Sequence, residues 1–273
     1  MHRISEKNAQ YLGANNRSSL YDLTIPKNWN KRLIIFNHGY MGYKDWGAWY
    51  LMEDFFLQKG FGFLKFNISH NGGTVENGID FPDLEAFSEN RYSYELKDMN
   101  AIIALALEKV KDSEEIYLVG HSRGGGMVLL QSWHPAITKI AALAPISDIG
   151  KRFPSGEQLD NWKSEGVRYT TNGRTKQQMP HKYLQYEDFH QHKERLDIES
   201  YSRDPKIPIC VIHGEDDPSV KIEEGEAIAK WAEVDLIRIP NEQHTFGAKH
   251  PWTEKELPLG LQKVCEHLLA FFQ

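Results

Sequence analysis

The amino-acid sequence predicts an α/β fold in which helices flank a mostly parallel, doubly wound sheet. Short apolar segments alternate with longer amphipathic ones, as in chains built from β–α–β units. The apolar segments are rich in Ile, Val, Leu and Phe, which is typical of parallel strands covered on both faces. The chain has 273 residues, enough for one such domain with an insertion.

Six strands are predicted, with helices between them wherever apolar residues recur every three or four positions. The strands span residues 33–36, 61–66, 116–119, 140–143, 207–212 and 236–239. The apolar faces of three helices are clear: Trp46, Trp49, Met52 and Phe56; Tyr92, Leu96, Met99, Ile103, Ala106 and Val110; and Leu261, Val264, Leu268 and Phe271.

One segment interrupts the alternation of strands and helices. Residues 146–205 contain mixed charge and scattered aromatic side chains, but no apolar segment that resembles a buried strand. A segment of 60 residues is too long to be a structureless loop in a compact domain. We therefore predict that residues 1–145 and 206–273 form the sheet domain and that 146–205 form an inserted lid. The alternative is that residues 146–205 form an ordinary surface excursion that takes no part in the functional site.

Composition argues against several classes of partner. The net charge of −6 and the pI near 6.1 disfavour nucleic acid or an anionic membrane surface. No apolar segment is long enough for a transmembrane helix, and the first residues lack the apolar stretch of a secretory signal, so we expect a cytoplasmic protein. Cys210 and Cys265 lie in apolar segments and are expected to be buried thiols. The oligomeric state stays open.

A serine between glycines lies where a predicted strand gives way to a predicted helix. Residues 116–126 read IYLVGHSRGGG, with Ser122 at the centre of a G-x-S-x-G pattern. Ligands of open α/β sheets bind at the carboxyl ends of the strands, which is where Ser122 falls. The flanking glycines leave room for a sharp turn that presents a nucleophile. The pentapeptide alone is weak evidence, since a glycine-rich helix start with a capping serine would read the same.

Three further loops have the composition that a serine nucleophile requires. The hydroxyl needs a base, the base needs an orienting carboxylate, and the developing oxyanion needs hydrogen-bond donors. Strand 207–212 runs into HGEDDPSV, strand 236–239 is followed by PNEQHTF with His244, and strand 33–36 ends in NHGYMG. The order serine, acid, histidine is the one expected for a nucleophile on this kind of turn.

With these motifs the chain resembles the α/β-hydrolase superfamily. Within it, the chain is most similar to bacterial serine hydrolases and esterases related to dienelactone hydrolase and to the prolyl oligopeptidase catalytic domain. The resemblance covers nearly the whole chain from about residue 33 and implies the α/β-hydrolase fold. It is carried by the segments HGYMGYKDWG, FNISHNGG, DLEAFSENRYSYELKD, GHSRGGG, TTNGRTKQQMP, HGEDDPSV and NEQHTF.

The resemblance also implies a role for each candidate site residue. Ser122 would be the nucleophile, Asp217 the acid and His244 the base. Asp217 is selected among three adjacent acids because the family pattern places the acid four residues after the strand-end histidine. The backbone N–H groups of Tyr40 and Arg123 would form the oxyanion hole.

A serine at this turn predicts acyl transfer, because enzymes of similar fold that act on halides or epoxides use an aspartate there. We expect hydrolysis of a small carboxylic ester through an acyl-enzyme, with an aromatic acyl group suggested by composition and resemblance. The alternatives are a thioesterase, an amidase, a perhydrolase, or a slow or non-catalytic ligand-binding protein.

No cofactor and no metal are expected. His190 and His192 are two positions apart and would point to different sides of a helix, so they cannot share an ion there. His38 and His121, which flank the site motifs, are expected to be structural.

Overall fold

A computed structural model describes residues 2–273 and has an eight-stranded sheet with helices on both faces. The strands of this sheet are β1 (His2–Leu12), β2 (Ser18–Pro26), β3 (Arg32–Asn37), β4 (Gly62–Phe66), β5 (Glu115–His121), β6 (Lys139–Leu143), β9 (Ile209–Gly214) and β10 (Leu236–Ile239). A separate hairpin contains β7 (Val167–Thr171) and β8 (Gln178–Lys182). The helices are α1 (Trp49–Gln58), α2 (Leu84–Glu89), α3 (Tyr92–Lys109), α4 (Arg123–Leu129), α5 (Glu157–Glu165), α6 (Leu184–Gln191), α7 (Ile198–Arg203), α8 (Ile222–Trp231) and α9 (Leu259–Phe272).

The strand order is β1-β2-β4-β3-β5-β6-β9-β10, in which β2 is antiparallel to both neighbours and the other pairs are parallel. This is the α/β-hydrolase fold that the sequence predicted. Successive residues of a strand face opposite sides of the sheet. Leu33 and Ile35 accordingly belong to the core that α3 and α4 cover, and Ile34 and Phe36 to the core under α1 and α9.

All six predicted strands are present, with ends that differ by a few residues from the expected ones. The sequence analysis did not predict β1, β2 or the hairpin of β7 and β8. Two details of the helices were also wrong. Trp46 precedes α1, and in α9 it is Phe272 rather than Phe271 that is fully buried. No helix within residues 2–273 is long and apolar enough to cross a membrane.

The segment 146–205 connects β6 to β9 and contains α5, the β7–β8 hairpin, α6 and α7. Helix α6 packs against α3, α7 packs against α4, and β8 packs against α2. Strand β7 is partly buried, with Tyr169 and Thr171 exposed, whereas β8 buries Met179 and His181. The function of this segment as a lid stays a prediction.

A buried cluster of charges joins the antiparallel end of the sheet to α1. Lys65 is the fourth of the five residues of β4, and its Nζ is 2.7 Å from Asp45 Oδ1 and 2.8 Å from Glu53 Oε2. Beside it, Lys44 Nζ lies 2.9 Å from Asp22 Oδ2 of β2. Burial alone would raise the pKa of Glu53, but the Lys65 ammonium outweighs it and holds that pKa below its usual value.

Replacement of Lys65 by Met should lower the free energy of unfolding by about 3 kcal/mol or more, because it leaves buried carboxylates without their counter-charge. Chemical denaturation measured against Lys230→Met, which changes an exposed lysine of α8, checks this. The control should lose less than about 0.5 kcal/mol. A similar small loss for Lys65→Met would show that the cluster is neutralised sufficiently by Lys44 and by Lys7, whose Nζ lies 2.9 Å from Glu53 Oε1.

Candidate active site

Ser122 forms the turn between β5 and α4 and has a strained backbone. Its φ of 58° and ψ of −120° lie in a region that residues with a side chain rarely adopt. Three hydrogen bonds hold this conformation. The Ser122 N–H donates to Leu143 O at 2.8 Å, and the Ser122 carbonyl accepts from Gly126 N at 3.1 Å and Ile146 N at 3.3 Å. The chain therefore presents the serine rigidly at the carboxyl edge of the sheet.

The glycines around Ser122 allow backbones to approach one another closely. A Cβ on Gly120 would lie 2.2 Å from Gly124 O, and a Cβ on Gly124 would lie 2.4 Å from His38 O. Either distance is far below contact distance, so no larger residue fits without displacing the backbone. Gly39 brings the loop after β3 against the serine, since its Cβ would lie 3.0 Å from Ser122 Cβ.

Asp217 and His244 are joined by a short hydrogen bond. Asp217 follows β9, His244 follows β10, and His244 Nδ1 lies 2.6 Å from Asp217 Oδ2. An ionised carboxylate only accepts hydrogen bonds, so the Nδ1 of His244 carries the proton and its Nε2 is left as a base. Ser122 and His244 line the same two cavities. The structure thus brings together the three residues that the resemblance singled out.

The Asp217 carboxylate is held by backbone and side-chain donors. Its Oδ1 accepts from Ser219 N at 2.8 Å and Val220 N at 3.0 Å, and His213 Nε2 lies 3.3 Å from its Oδ2. Burial alone would raise the pKa of Asp217, but the hydrogen bonds from His213 and His244 outweigh it and hold the pKa well below its usual range. Asp217 is therefore a fixed anion beside the imidazole.

The backbone N–H groups of Tyr40 and Arg123 belong to two segments that flank the serine. Arg123 is the first residue of α4, and the first N–H groups of a helix have no partner within it. Tyr40 lies in a turn that a 3.0 Å hydrogen bond from Gly42 N to Gly39 O closes, next to Ser122. A helix N-terminus also favours negative charge. Their role as an oxyanion hole stays a prediction.

The two flanking histidines are buried and bonded to the backbone. His38 Nε2 accepts from Ile68 N at 3.1 Å, while its Nδ1 lies 2.8 Å from Gly39 O. His121 Nε2 lies 2.8 Å from the carbonyl oxygen of His244. Burial lowers the pKa of His38 to about 4 and that of His121 to about 3, so both rings are neutral at neutral pH. These contacts agree with the structural role expected of both.

Two cavities meet at the serine. The first has a volume of about 430 Å³ and the second about 280 Å³, and Tyr40, Ser122 and His244 line both. The first is lined by three arginines, whereas Trp46 and Trp49 face the second. Those arginines are Arg123, Arg152 and Arg168. The second cavity also has an arginine, Arg174, which pairs with Asp80 at 3.1 Å, so the first cavity is the more cationic and the second the more aromatic.

The inserted segment supplies residues of the first cavity that the sequence analysis missed. Arg168 and Thr170 of β7 and His181 of β8 line it, and His181 Nε2 lies 2.8 Å from the Tyr40 hydroxyl. A signal for this hairpin was present, because Asn172-Gly173 is a dipeptide typical of tight β-turns between strands. The six-residue loop 172–177 carries that dipeptide.

Other side chains named in the sequence analysis lie apart from the serine. Cys210 and Cys265 are buried free thiols, as predicted. His190 packs on the Tyr186 ring with centroids 4.3 Å apart, and His192 Nε2 lies 3.7 Å from Asp188 Oδ1. Within the described residues 2–273, no group of three or more His, Cys, Asp or Glu side chains is placed to hold a metal ion.

Comparison with known proteins identifies the family. A profile of the prolyl oligopeptidase family matches residues 52–257, about three quarters of the chain. The chain belongs to the prolyl oligopeptidase family. Membership in this family makes the chain a serine hydrolase of the α/β-hydrolase superfamily. No curated protein sequence matches it significantly.

Solved structures of esterases and a peptidase share the fold. Est1E from Butyrivibrio proteoclasticus with ferulic acid bound is 20% identical, with a TM-score of 0.72 over 97% of this chain and 98% of its own. The Pyrococcus furiosus esterase Pf2001 is 16% identical, with a TM-score of 0.60 over 98% and 91%. The Pyrococcus horikoshii acylaminoacyl peptidase is 14% identical, with a TM-score of 0.64 over 100% of this chain and 42% of its own. At these identities the likeness shows the fold alone.

Asp217→Asn should lower kcat on an activated aryl ester at least about 10²-fold, because an amide neither fixes the required His244 tautomer nor stabilises the imidazolium. The matched variant Asp216→Asn changes the exposed neighbouring acid and should cost less than about tenfold. The two variants are compared by their kcat on the same aryl ester, measured by steady-state kinetics at neutral pH. If Asp216→Asn were the more damaging change, the acid would have been assigned to the wrong residue of the loop.

Proposed function

We propose that this protein is a carboxylic ester hydrolase that acts through an acyl-enzyme. Ser122 is the nucleophile, His244 the general base and acid, and Asp217 the residue that orients and charges the imidazole. The backbone N–H groups of Tyr40 and Arg123 stabilise the oxyanion. The reaction requires no cofactor or metal.

The observation that carries this proposal is the strained turn at Ser122 facing the 2.6 Å pair of His244 and Asp217. A capping serine needs neither a positive φ nor a neighbouring imidazole that is fixed by a carboxylate. A protein that only binds ligands would likewise gain nothing from the strain at Ser122. Both features are what an activated nucleophile requires.

The reaction follows from these positions. His244 Nε2 accepts the proton of the Ser122 hydroxyl as Oγ attacks the ester carbonyl, and the resulting oxyanion is bound by the two N–H groups. The imidazolium, stabilised by Asp217, then gives its proton to the departing alkoxide and leaves an acyl-enzyme. Water repeats the sequence and releases the carboxylic acid.

A small ester fits the site better than a long peptide because the two cavities that meet at Ser122 are small. The first, of about 430 Å³, is at the lower end of the range typical of small-molecule sites. Trp46 and Trp49 line the second and offer flat apolar surfaces for an aromatic group. The fold relative Est1E binds ferulic acid, an aromatic acid. These points support an aromatic acyl group as one substrate class.

The segment 146–205 is proposed to act as a lid over the reacting bond. Arg168, Thr170 and His181 from its hairpin wall the first cavity opposite Ser122. Met179 anchors the hairpin in an apolar cluster with Phe81 and Phe87. The lid therefore bounds the substrate while the sheet domain supplies the nucleophile and base.

Ser122→Ala should abolish ester hydrolysis, by roughly 10⁴-fold or more, and should prevent labelling by a fluorophosphonate, while the far-UV circular dichroism is unchanged. Ser164→Ala removes an exposed hydroxyl of α5 and serves as the matched control, which should keep wild-type turnover. The hydrolysis rates of the same proteins on an ester, a thioester and an amide that share one acyl group show which type of bond is cleaved.

Two results would contradict the proposal. Near wild-type hydrolysis by a folded Ser122→Ala variant would exclude the serine as nucleophile. A wild-type protein that binds esters but neither hydrolyses them nor reacts with the fluorophosphonate would be a ligand-binding protein instead.

A further inference from the structure

The first cavity carries more positive charge than the proposed ester chemistry needs. Three arginines line it, but within the described residues 2–273 none of its lining side chains is an Asp or Glu. Neither the proposed nucleophile, the base nor the oxyanion donors use an arginine side chain. The three arginine side chains therefore need another explanation. An arginine that already has a carboxylate partner is explained by that pair, whereas one without a partner is available to a ligand.

Two of the three arginines already have a carboxylate partner. Arg123 Nη1 lies 3.0 Å from Glu95 Oε1, and its guanidinium stacks between Tyr40 and Tyr92, with the guanidinium carbon 4.6 Å from each ring centroid. Arg152 pairs with Glu224, which also accepts from Ser147 N at 2.8 Å. These contacts explain both side chains as parts of the cavity wall.

Arg168 differs from both. Its guanidinium carbon lies 4.5 Å from the centroid of the buried Trp162 ring, which holds the side chain in place. Among residues 2–273, no carboxylate pairs with it, and its Nε is buried without a hydrogen-bond partner. Burial lowers the pKa of Arg168, but a guanidinium titrates so far above neutral pH that it stays charged.

Arg168 is half-buried, and a desolvated charge without a partner is costly to the fold. An anionic ligand in the cavity would supply the missing partner. We propose that the first cavity selects ester substrates that carry a carboxylate, and that the Arg168 guanidinium binds that carboxylate. The inference rests on the proposed function and specifies its substrate class.

The hairpin presents suitable groups for such a ligand. Arg168 and His181 are cross-strand partners, and Thr170 lies two residues along β7, so all three project from the same face. A guanidinium matches a carboxylate with two parallel hydrogen bonds, and a single free positive charge suits a single negative one. A neutral ester would leave Arg168 desolvated and unpaired, which disfavours its binding.

Three aryl esters test the preference. Phenyl hexanoate is neutral, monophenyl adipate carries a carboxylate at the end of the acyl chain, and 4-carboxyphenyl hexanoate carries one on the alcohol part. Wild-type kcat/KM should be higher for one of the charged esters than for the neutral one by about tenfold or more, the effect of one charge-assisted hydrogen bond. The preferred charged ester shows which side of the reacting bond lies in the first cavity.

Arg168→Gln should remove this preference chiefly through KM. We expect kcat/KM of the preferred charged ester to fall about tenfold or more, and that of phenyl hexanoate to change less than about threefold. Arg168→Lys keeps the positive charge but not the planar guanidinium that donates two parallel hydrogen bonds, so it should retain part of the preference. Lys163→Gln removes one exposed positive charge from α5 of the same segment and should leave all three esters unaffected.

The wild-type ranking needs no variant, so it decides the matter even if Arg168→Gln does not fold. Phenyl hexanoate hydrolysed as fast as both charged esters, or an equal loss for all three in Arg168→Gln, would overturn the inference. Either result leaves the proposed function intact provided that Ser122→Ala is inactive. Hydrolysis that persists in Ser122→Ala would instead remove the proposed function.

Discussion

The positive φ of Ser122 is the constraint around which the site is built. A serine in this conformation is strained by itself, and it persists only because neighbouring elements hold its N–H and its carbonyl. Leu143 belongs to β6, and Ile146 follows it, so the strand next to β5 holds the turn. The same turn starts α4 directly behind the serine. The position of Ser122, the proposed nucleophile, and that of the helix N-terminus, which would favour an oxyanion, are thus consequences of one backbone conformation.

The acid and the base depend on a second set of fixed contacts. Asp217 receives two backbone N–H bonds on one oxygen and the imidazole proton on the other, so it cannot turn away from His244. His121 lies under the loop that carries the base and contacts its carbonyl oxygen. In this arrangement the two loops after β9 and β10 are fastened at several points, although neither is regular secondary structure. Preorganisation of this kind lowers the cost of developing charge during reaction.

The elements that were predicted from the sequence are those whose burial in the fold can be recognised from the apolar pattern of their own residues. Strands such as β3 and β5 are covered on both faces, so their central residues form apolar segments that can be recognised. Strand β2 was missed because its buried Asp22 is neutralised by Lys44, a pairing that involves a distant segment. A single sequence cannot show that pairing.

The site was predicted unevenly for the same reason. Ser122 and His244 follow strands and lie beside recognisable turn residues, and the contact of Asp217 with His244 agrees with the acid that the resemblance selected. Arg168 has no such signal, since one arginine in a polar strand looks like an exposed residue. Its environment depends on Trp162 and on the cavity opposite, which arise only when the inserted segment folds onto the sheet domain.

The residues around Ser122 and those of the β7–β8 hairpin therefore contribute to the site in different ways. Glycine contacts and backbone hydrogen bonds of the eight-stranded sheet and its loops position Ser122, the proposed nucleophile, whatever ester or amide reaches it. In the proposed function the hairpin acts through charge and shape, which distinguish one substrate from another but do not change the bond-breaking step. The family profile matches residues 52–257, which include the hairpin, and shows the family but not the substrate. Solved structures of 14–20% identity share the fold alone, so the proposed substrate class rests on the hairpin's own residues, among which Arg168 has no carboxylate partner within the described part of the chain and has a buried Nε without a hydrogen bond.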